Sequence, residues 1–349
     1  MADPVGASTH MADPVGGETT GTLGADTTGT TRAVPELWVR VRQVRWEATG
    51  VVSVEFTSLD GRPLPPWWPG AHVELALPTG IVRQYSLCGS PQDLTSYRIG
   101  VLRERAGRGG SEYVHAFLRP GQSVRLRGPV DNFGFRREEA YLFIAGGIGI
   151  TPVLAMARQA AAWGLPWQLL YGGRTADSMA FLDELRAHRD NVRLYPSDSA
   201  GRIPLAHWLE RPRPATAVYA CGPESLLTAV EEGAAHWAPG SVRLERFRPR
   251  PKPNRPDTEP DTDVEVVCAR SRRTVVVPAG DSILSALEGA GLPVTGSCRE
   301  GVCGTCATRV VDGEPEHRDD ILTAEDRATG DRMYICVSRA RGERLVLDV

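Results

Sequence analysis

The chain has no run of about 18 or more apolar residues, so nothing in it reads as a membrane-spanning helix. The residues after Met1, Ala-Asp-Pro-Val-Gly, lack the basic segment and apolar core of a secretory signal. With no signal there is no reason to expect an oxidising compartment, and a cytoplasmic location is the expectation. A concentrated basic field is missing too. The formal net charge is −3, which argues against a nucleic-acid binder. Lysine is absent between Asp263 and Val349, where 11 arginines face 15 acidic residues, so this segment is mildly acidic. A disulfide framework fits poorly: seven cysteines is an odd number, four fall in one tail segment, and Cys88, Cys221 and Cys268 are scattered. That clustering asks for a cofactor.

The 349 residues exceed one ordinary core, and the patterning divides them. Residues 1–35 carry a repeat, MADPVG at the start and again at Met11–Gly16, followed by a Gly- and Thr-rich stretch that could not build a core; we expect disorder there. Residues 36–136 hold short alternating runs, such as Val51–Thr57 and Tyr97–Leu102, between Pro/Gly turns, which predicts an antiparallel β-barrel. Residues 137–248 alternate apolar strands with helical stretches near Pro152–Ala162, Met179–His188 and Glu224–His236, which predicts an α/β, Rossmann-like domain on a parallel sheet. Residues 249–262, rich in Pro and charge, read as a linker. Residues 263–349 form a small α+β unit of a size that a bound cluster helps to hold together. The fold class is thus multidomain.

The most specific motif is Cys298-Arg-Glu-Gly-Val-Cys303-Gly-Thr-Cys306, with Cys336 separated from Cys306 by 29 residues. Four residues separate the first pair and two the second, the spacing of plant-type [2Fe–2S] ligands. Thiolates suit soft iron, and Gly301 and Gly304 allow the backbone to wrap a cluster. Structural zinc is the competitor, but zinc ribbons usually pair two short knuckles, and here the fourth cysteine is single and distant. A second motif, Ala145-Gly-Gly-Ile-Gly-Ile-Thr-Pro-Val, ends an apolar strand and opens a helix. Thr151 is placed to cap that helix and Pro152 to sit in its first turn, leaving N–H groups and the helix dipole to attract a phosphate. Gly146, Gly147, Gly149 and Thr151 are the candidate pyrophosphate site. A glycine-rich turn alone is weak, but Tyr219-Ala-Cys-Gly-Pro-Glu supplies a second strand end and helix start in the same alternating segment. In the barrel region, Arg83-Gln84-Tyr85-Ser86 offers charge, an aromatic face and a hydroxyl, and Gly107-Arg-Gly109-Gly110-Ser111 frees N–H groups to cradle an anion.

Residues Val264–Val349 resemble the plant-type ferredoxins, which implies a β-grasp fold. The Gly146–Thr151 and Cys221-Gly222-Pro223 segments resemble the nicotinamide-binding half of the ferredoxin-NADP reductase superfamily, and Arg83–Ser86 its flavin motif. With Gly107–Ser111 added, Leu37–Val349 resembles the phthalate dioxygenase reductase family, in which barrel, nucleotide domain and ferredoxin follow in this order. The resemblance implies FMN rather than FAD, its phosphate held by Arg83 and the Gly109, Gly110 and Ser111 cradle. It places Cys221, Gly222 and Pro223 beside the nicotinamide, Ser86 near flavin N5, and Phe247 as a shield over the flavin ring. Cys221 and Phe247 have plainer readings, as a buried strand-end thiol and as ordinary core.

A nicotinamide gives two electrons as a hydride and a [2Fe–2S] cluster takes one, so a carrier stable with none, one or two must stand between them, as a flavin is. The expected activity is that of an NAD(P)H-dependent oxidoreductase, with NADH preferred over NADPH. Asp177 is available for a ribose hydroxyl, whereas Arg174 gives opposite advice. The family implies a terminal oxygenase as acceptor, most often a Rieske non-haem iron enzyme acting on an aromatic compound, with a haem-thiolate monooxygenase as runner-up. A redox-sensing iron–sulfur module is the alternative of a different class, and the complete nicotinamide segment speaks against it.

Overall fold

The computed structural model describes residues 34–104, 107–250 and 261–349. The expected disordered segment lies outside these apart from Val34 and Pro35, as does the expected linker apart from its ends. Among the described residues no helix is long and apolar enough to cross a membrane.

Six strands form the first sheet: β1 (Glu36–Ala48), β2 (Val51–Ser58), β3 (Ala71–Ala76), β4 (Val82–Ser86), β5 (Ser96–Leu102) and β6 (Ser123–Asp131). Their order is β4-β3-β6-β1-β2-β5, every pairing is antiparallel, and a bridge between Leu87 and Ile99 joins the two edges into a barrel. Alternation explains the filling. Val39, Val41, Val54, Phe56, Val73, Leu75, Ile99 and Leu126 point inward and are fully buried. A short helix, α1 (Gly110–Ala116), follows β5 at the Gly-rich segment.

The second sheet is parallel. It contains β7 (Ala140–Gly146), β8 (Trp167–Gly173), β9 (Val192–Pro196), β10 (Thr216–Cys221) and β11 (Val242–Glu245), in the order β11-β10-β7-β8-β9. Connecting helices are α2 (Ile150–Ala162), α3 (Leu182–Leu185), α4 (Leu205–Leu209) and α5 (Glu224–Gly233). Strand order reverses between β7 and β10, so the crevice beyond their carboxyl ends is the topological switch point where such sheets bind ligands.

Two helix expectations need correction. Gly147–Gly149 forms a 3₁₀ turn running straight into α2, so Gly149 is the N-cap and Thr151 lies within the first turn, its hydroxyl donating back to the Ile148 carbonyl at 2.9 Å. The expected helix over Met179–His188 is broken. Met179 and Phe181 are buried, Phe181 takes a left-handed φ of 63°, and only Leu182–Leu185 is α-helical, followed by a 3₁₀ turn. Burying Met179 and Phe181 outweighs the local helical pattern.

The third sheet is mixed and built from β12 (Val264–Cys268), β13 (Arg273–Val277), β14 (Ala307–Asp312), β16 (Arg332–Tyr334) and β18 (Arg344–Leu347), ordered β13-β12-β18-β14-β16. A small ladder pairs β15 (Pro315–Glu316) with β17 (Arg339–Ala340). Helix α6 (Ile283–Gly289), capped by the Ser282 hydroxyl, lays Ile283, Leu284 and Leu287 on this sheet, and α7 (Ala324–Thr329) follows the cysteine loop.

The barrel and the parallel sheet share apolar packing, because Phe133 and Phe135, just past β6, reach Tyr219 at centroid distances of 5.5 and 5.2 Å. A charged clamp adds to it. Glu184, on α3, pairs with Arg98 of β5 at 2.7 Å and with Arg158 of α2. The Arg98 and Glu184 side chains are 18% and 25% exposed, enough to temper the cost of losing the pair. Glu184→Ala strands two close cations and is expected to lower stability by about 1–3 kcal/mol in a urea titration; a loss no larger than that of an exposed surface pair would show that the clamp is merely solvated.

Candidate functional site

The nucleotide end is shaped by residues too small to obstruct it. Gly146 ends β7, and a Cβ there would come within 2.7 Å of Pro223 and Leu226. A Cβ on Gly149 would strike the Cys221 carbonyl, and one on Gly222 would lie 3.0 Å from Gly146 Cα. Gly146, Gly149, Cys221, Gly222 and Pro223 therefore come together at the switch point, with Gly147 beside them at a left-handed φ of 54°. Thr151, 2% exposed, packs on the barrel, since a Cβ on Gly100 of β5 would meet its methyl at 2.7 Å.

Three titratable groups gather at this end. The Cys221 Sγ donates to Glu245 Oε2 at 3.9 Å, and burial, then Glu245, push the thiol well above its usual range. Burial and the nearby Asp131 raise the Glu245 carboxyl to about 8. Asp131 is itself raised to about 6 by burial, although its Oδ1 accepts from Phe133 N and Gly134 N. The sequence reading missed both acids; in Val242-Arg-Leu-Glu-Arg-Phe247 Glu245 alternates with arginine like an ordinary solvent-facing position and gave no signal. Phe247 is 42% exposed just past β11, so it is not core.

At the barrel, Arg83 and the Gly-rich segment meet. Arg83 Nη2 donates to the Arg108 carbonyl at 2.8 Å, and a Cβ on Gly110 would stand 2.6 Å from Arg83 Cγ. Gly109 takes a left-handed φ of 82°, which favours glycine. Ser111 Oγ accepts from Glu104 N at 3.0 Å. Tyr85 is pushed up to about 12 by burial, and Ser86 is 4% exposed, beside Leu87 and its bridge to β5. The Gln84 amide faces elsewhere, donating to Ser297 Oγ at 2.5 Å and to Glu74 Oε1 at 3.2 Å.

The cysteine loop is wound by Arg299, Gly301 and Gly304, with φ of 56°, 73° and 76°. Cys303, Cys306 and Cys336 are buried and Cys298 partly so. Cys298 lies in hydrogen-bonding contact with Cys303 and Cys336, and Cys306 with Cys336; donation from Cys303 and Cys336 holds the Cys298 thiol far below its usual range. All four cysteines thus meet in one place, and their C-x₄-C-x₂-C spacing with a distant fourth suits a two-iron cluster, whose cysteines divide between the irons, better than the paired short knuckles of a zinc ribbon. Glu300 N donates to Cys298 Sγ at 3.3 Å, a main-chain donor of the kind cluster sulfurs use.

This loop rests on the barrel. Asn132 Nδ2 donates to the Cys303 carbonyl at 2.7 Å, and a Cβ on Gly304 would collide with Asn132. Arg127 reaches Thr295 at 3.2 Å, and Arg108 pairs with Glu300 at 3.2 Å. His72 of β3, 5% exposed, stands by Cys298 and Cys303, and burial lowers its pKa. Of these barrel residues only Arg108 lay within a motif read from the sequence, and there as part of an anion cradle rather than a contact to the cysteine loop.

Comparison with known proteins agrees with both ends of this arrangement. Residues 266–341 match the 2Fe-2S iron-sulfur cluster binding domain and residues 143–232 the oxidoreductase NAD-binding domain. The protein is therefore an oxidoreductase that combines a nicotinamide-binding domain with an iron–sulfur domain. It is 40% identical over 322 residues to a putative toluene-4-sulfonate monooxygenase system reductase subunit of Comamonas testosteroni, covering 89% of this chain and 98% of that one. The solved structure of phthalate dioxygenase reductase matches with a TM-score of 0.65 at 35% identity, over 90% of this chain and 98% of that one. An intact type IV self-sufficient cytochrome P450 monooxygenase matches with a TM-score of 0.85 at 40% identity, over 90% of this chain but only 41% of that one. The chain belongs to the phthalate dioxygenase reductase family, NAD(P)H-dependent reductase components of oxygenase systems.

The raised Glu245 carboxyl has a pH consequence. Below about pH 4.5 the acid is neutral folded or unfolded; above it the unfolded chain ionises while the folded one holds its proton, so stability falls until the folded group ionises near 8. Glu245→Gln removes that loss. Thermal melts at matched flavin content should show the variant gaining on its parent from about pH 4.5 to 8; an offset constant with pH would mean the carboxyl titrates normally.

Proposed function

We propose that this chain carries electrons from NADH through FMN and a [2Fe–2S] cluster to a terminal oxygenase, its acceptor being a Rieske non-haem iron enzyme acting on an aromatic compound. One observation carries the reading. Gln84, in the middle of the flavin motif, donates directly to Ser297, the neighbour of Cys298, so the motif and the cysteine loop are in contact across 213 residues of chain. FMN, when bound, converts a two-electron donation into single electrons, and the cluster gives them a one-electron exit.

The residues divide the work. Arg83, Gly109, Gly110 and Ser111 hold the flavin phosphate, and the packing of Arg83 on Gly110 supports this. Tyr85 and Ser86 offer ring and hydroxyl to the flavin, and Phe247, exposed past β11, is free to cover it. Gly146, Gly147, Gly149 and Thr151 bind the pyrophosphate, while Cys221, Gly222 and Pro223 line the nicotinamide. Cys298, Cys303, Cys306 and Cys336 hold the irons. In this reading residues 36–136 are the FMN barrel, 137–248 the nucleotide domain and 263–349 the ferredoxin domain. NADH is favoured over NADPH through Asp177, although Arg174 is exposed beside it. A cytoplasmic location suits a protein that draws on NADH and needs reduced thiols. A haem-thiolate monooxygenase is the second reading for the acceptor, favoured by the likeness to the reductase portion of a self-sufficient P450.

Two measurements test this. Flavin released by heat and chromatographed should be FMN; a stoichiometric yield of FAD overturns the assignment of the Gly-rich cradle. Cys303→Ser replaces one thiolate with a weaker donor and touches neither the flavin motif nor the glycines of the nucleotide crevice, so NADH-driven ferricyanide reduction should persist while transfer to the oxygenase falls at least tenfold. Retained flavin and a lost reduced-cluster resonance signal are the controls, because a domain that needs its metal can unfold without it. Oxygenase turnover at the parental rate in a variant without cluster signal would remove the cluster from the path.

A further inference from the structure

Thr305 lies between two cysteines of the loop and has one hydroxyl hydrogen for two acceptors. Its Oγ1 is 2.7 Å from Glu74 Oε1 and 3.2 Å from Cys303 Sγ. Glu74, on β3, is 5% exposed and 231 residues away in sequence. It is firmly placed. Gln84 Nε2 donates to the same Oε1 at 3.2 Å, and Arg127 Nη1 stands 3.9 Å from Oε2. Gln84 and Arg127 are tied in turn to Ser297 at 2.5 Å and Thr295 at 3.2 Å, so the residues that fix the acid also hold the seated loop. A carboxylate oxygen is a far better acceptor than sulfur and holds the shorter contact, so the hydrogen goes to Glu74.

We propose that Glu74 is a positioning residue for the cluster: it draws the Thr305 hydroxyl hydrogen away from the Cys303 sulfur and so keeps the reduction potential lower than that hydrogen bond would make it. The inference rests on Cys303 being a cluster ligand. Hydrogen bonds to cluster sulfurs spread the negative charge that reduction adds and favour the reduced form. Withholding one leaves the electron easier to pass on. Because Glu74 belongs to the barrel, the potential depends on the cysteine loop being seated there. A loop lifted off the barrel loses Glu74, gains the hydroxyl-to-sulfur bond and holds its electron more tightly.

The test is a resonance-monitored redox titration of the full-length holoprotein in a double-mutant cycle. Glu74→Asp keeps the acid but withdraws it from Thr305, Glu74→Gln removes it, and Thr305→Val keeps the shape without the hydroxyl. Glu74→Asp should shift the cluster equilibrium about tenfold toward the reduced form, about 59 mV for one electron. Thr305→Val alone should shift it less than threefold, and adding it to Glu74→Asp should cancel most of that variant's shift. Glu74→Gln should move further in the same direction, through lost charge, and keep part of its shift when combined with Thr305→Val. If Glu74→Gln does not take up cluster, the Asp cycle decides alone. An equal effect of Glu74→Asp with and without Thr305→Val, or a lowered potential in Thr305→Val alone, overturns the inference. Absence of a [2Fe–2S] signal in the parent would instead overturn the ligand assignment on which it rests.

Discussion

Electron transfer between a flavin and a cluster weakens steeply with distance, so the structure depends first on the seam that holds the cysteine loop against the barrel. That seam is polar. Asn132 on the Cys303 carbonyl, Gln84 on Ser297, Glu74 on Thr305 and Arg127 on Thr295 each join a barrel residue to the loop. An apolar seam of the same area would be stronger but slippery, whereas directional hydrogen bonds fix one register. Gly304 is part of the same constraint, since only a residue without Cβ lets Asn132 approach so closely.

The opposite junction is built by different means. The barrel meets the parallel sheet through Phe133, Phe135 and Tyr219 and through the Glu184 clamp, leaving the crevice beyond β7 and β10 lined by glycines. Stable packing lies behind the crevice and bare backbone in front of it. A flat, phosphate-bearing ligand needs that combination: N–H groups that it can reach and walls that do not yield.

Much of this was legible in the sequence, for definite reasons. The cysteine spacing is local chemistry, and the glycine turns and strand alternation are local periodicities, so they identified the loop, the crevice and the first two sheets. What escaped was long-range or irregular. Glu74, Asn132, Asp131 and Glu245 matter through residues distant in the chain. Thr151 looked like a cap, but a 3₁₀ turn displaced the helix start by two residues. The strands after Cys306 are two to six residues long with little alternation, too short to stand out.

The two junctions also treat buried acid differently. Among the described residues the Glu245 carboxylate meets the Cys221 thiol, a weak donor at 3.9 Å, so burial and Asp131 raise its pKa to about 8. Glu74, buried where Glu245 is half-buried, receives an amide hydrogen from Gln84 and a hydroxyl hydrogen from Thr305, with a guanidinium 3.9 Å away. The two acids differ in their partners, and each donor to Glu74 offsets part of the desolvation that burial imposes. A poorly partnered acid at the nucleotide crevice responds to pH and to whatever enters. A fully partnered one at the seam stays in place and fixes its neighbours. Each arrangement suits its position: the crevice must accept and release a ligand, while the seam must keep one geometry through every turnover.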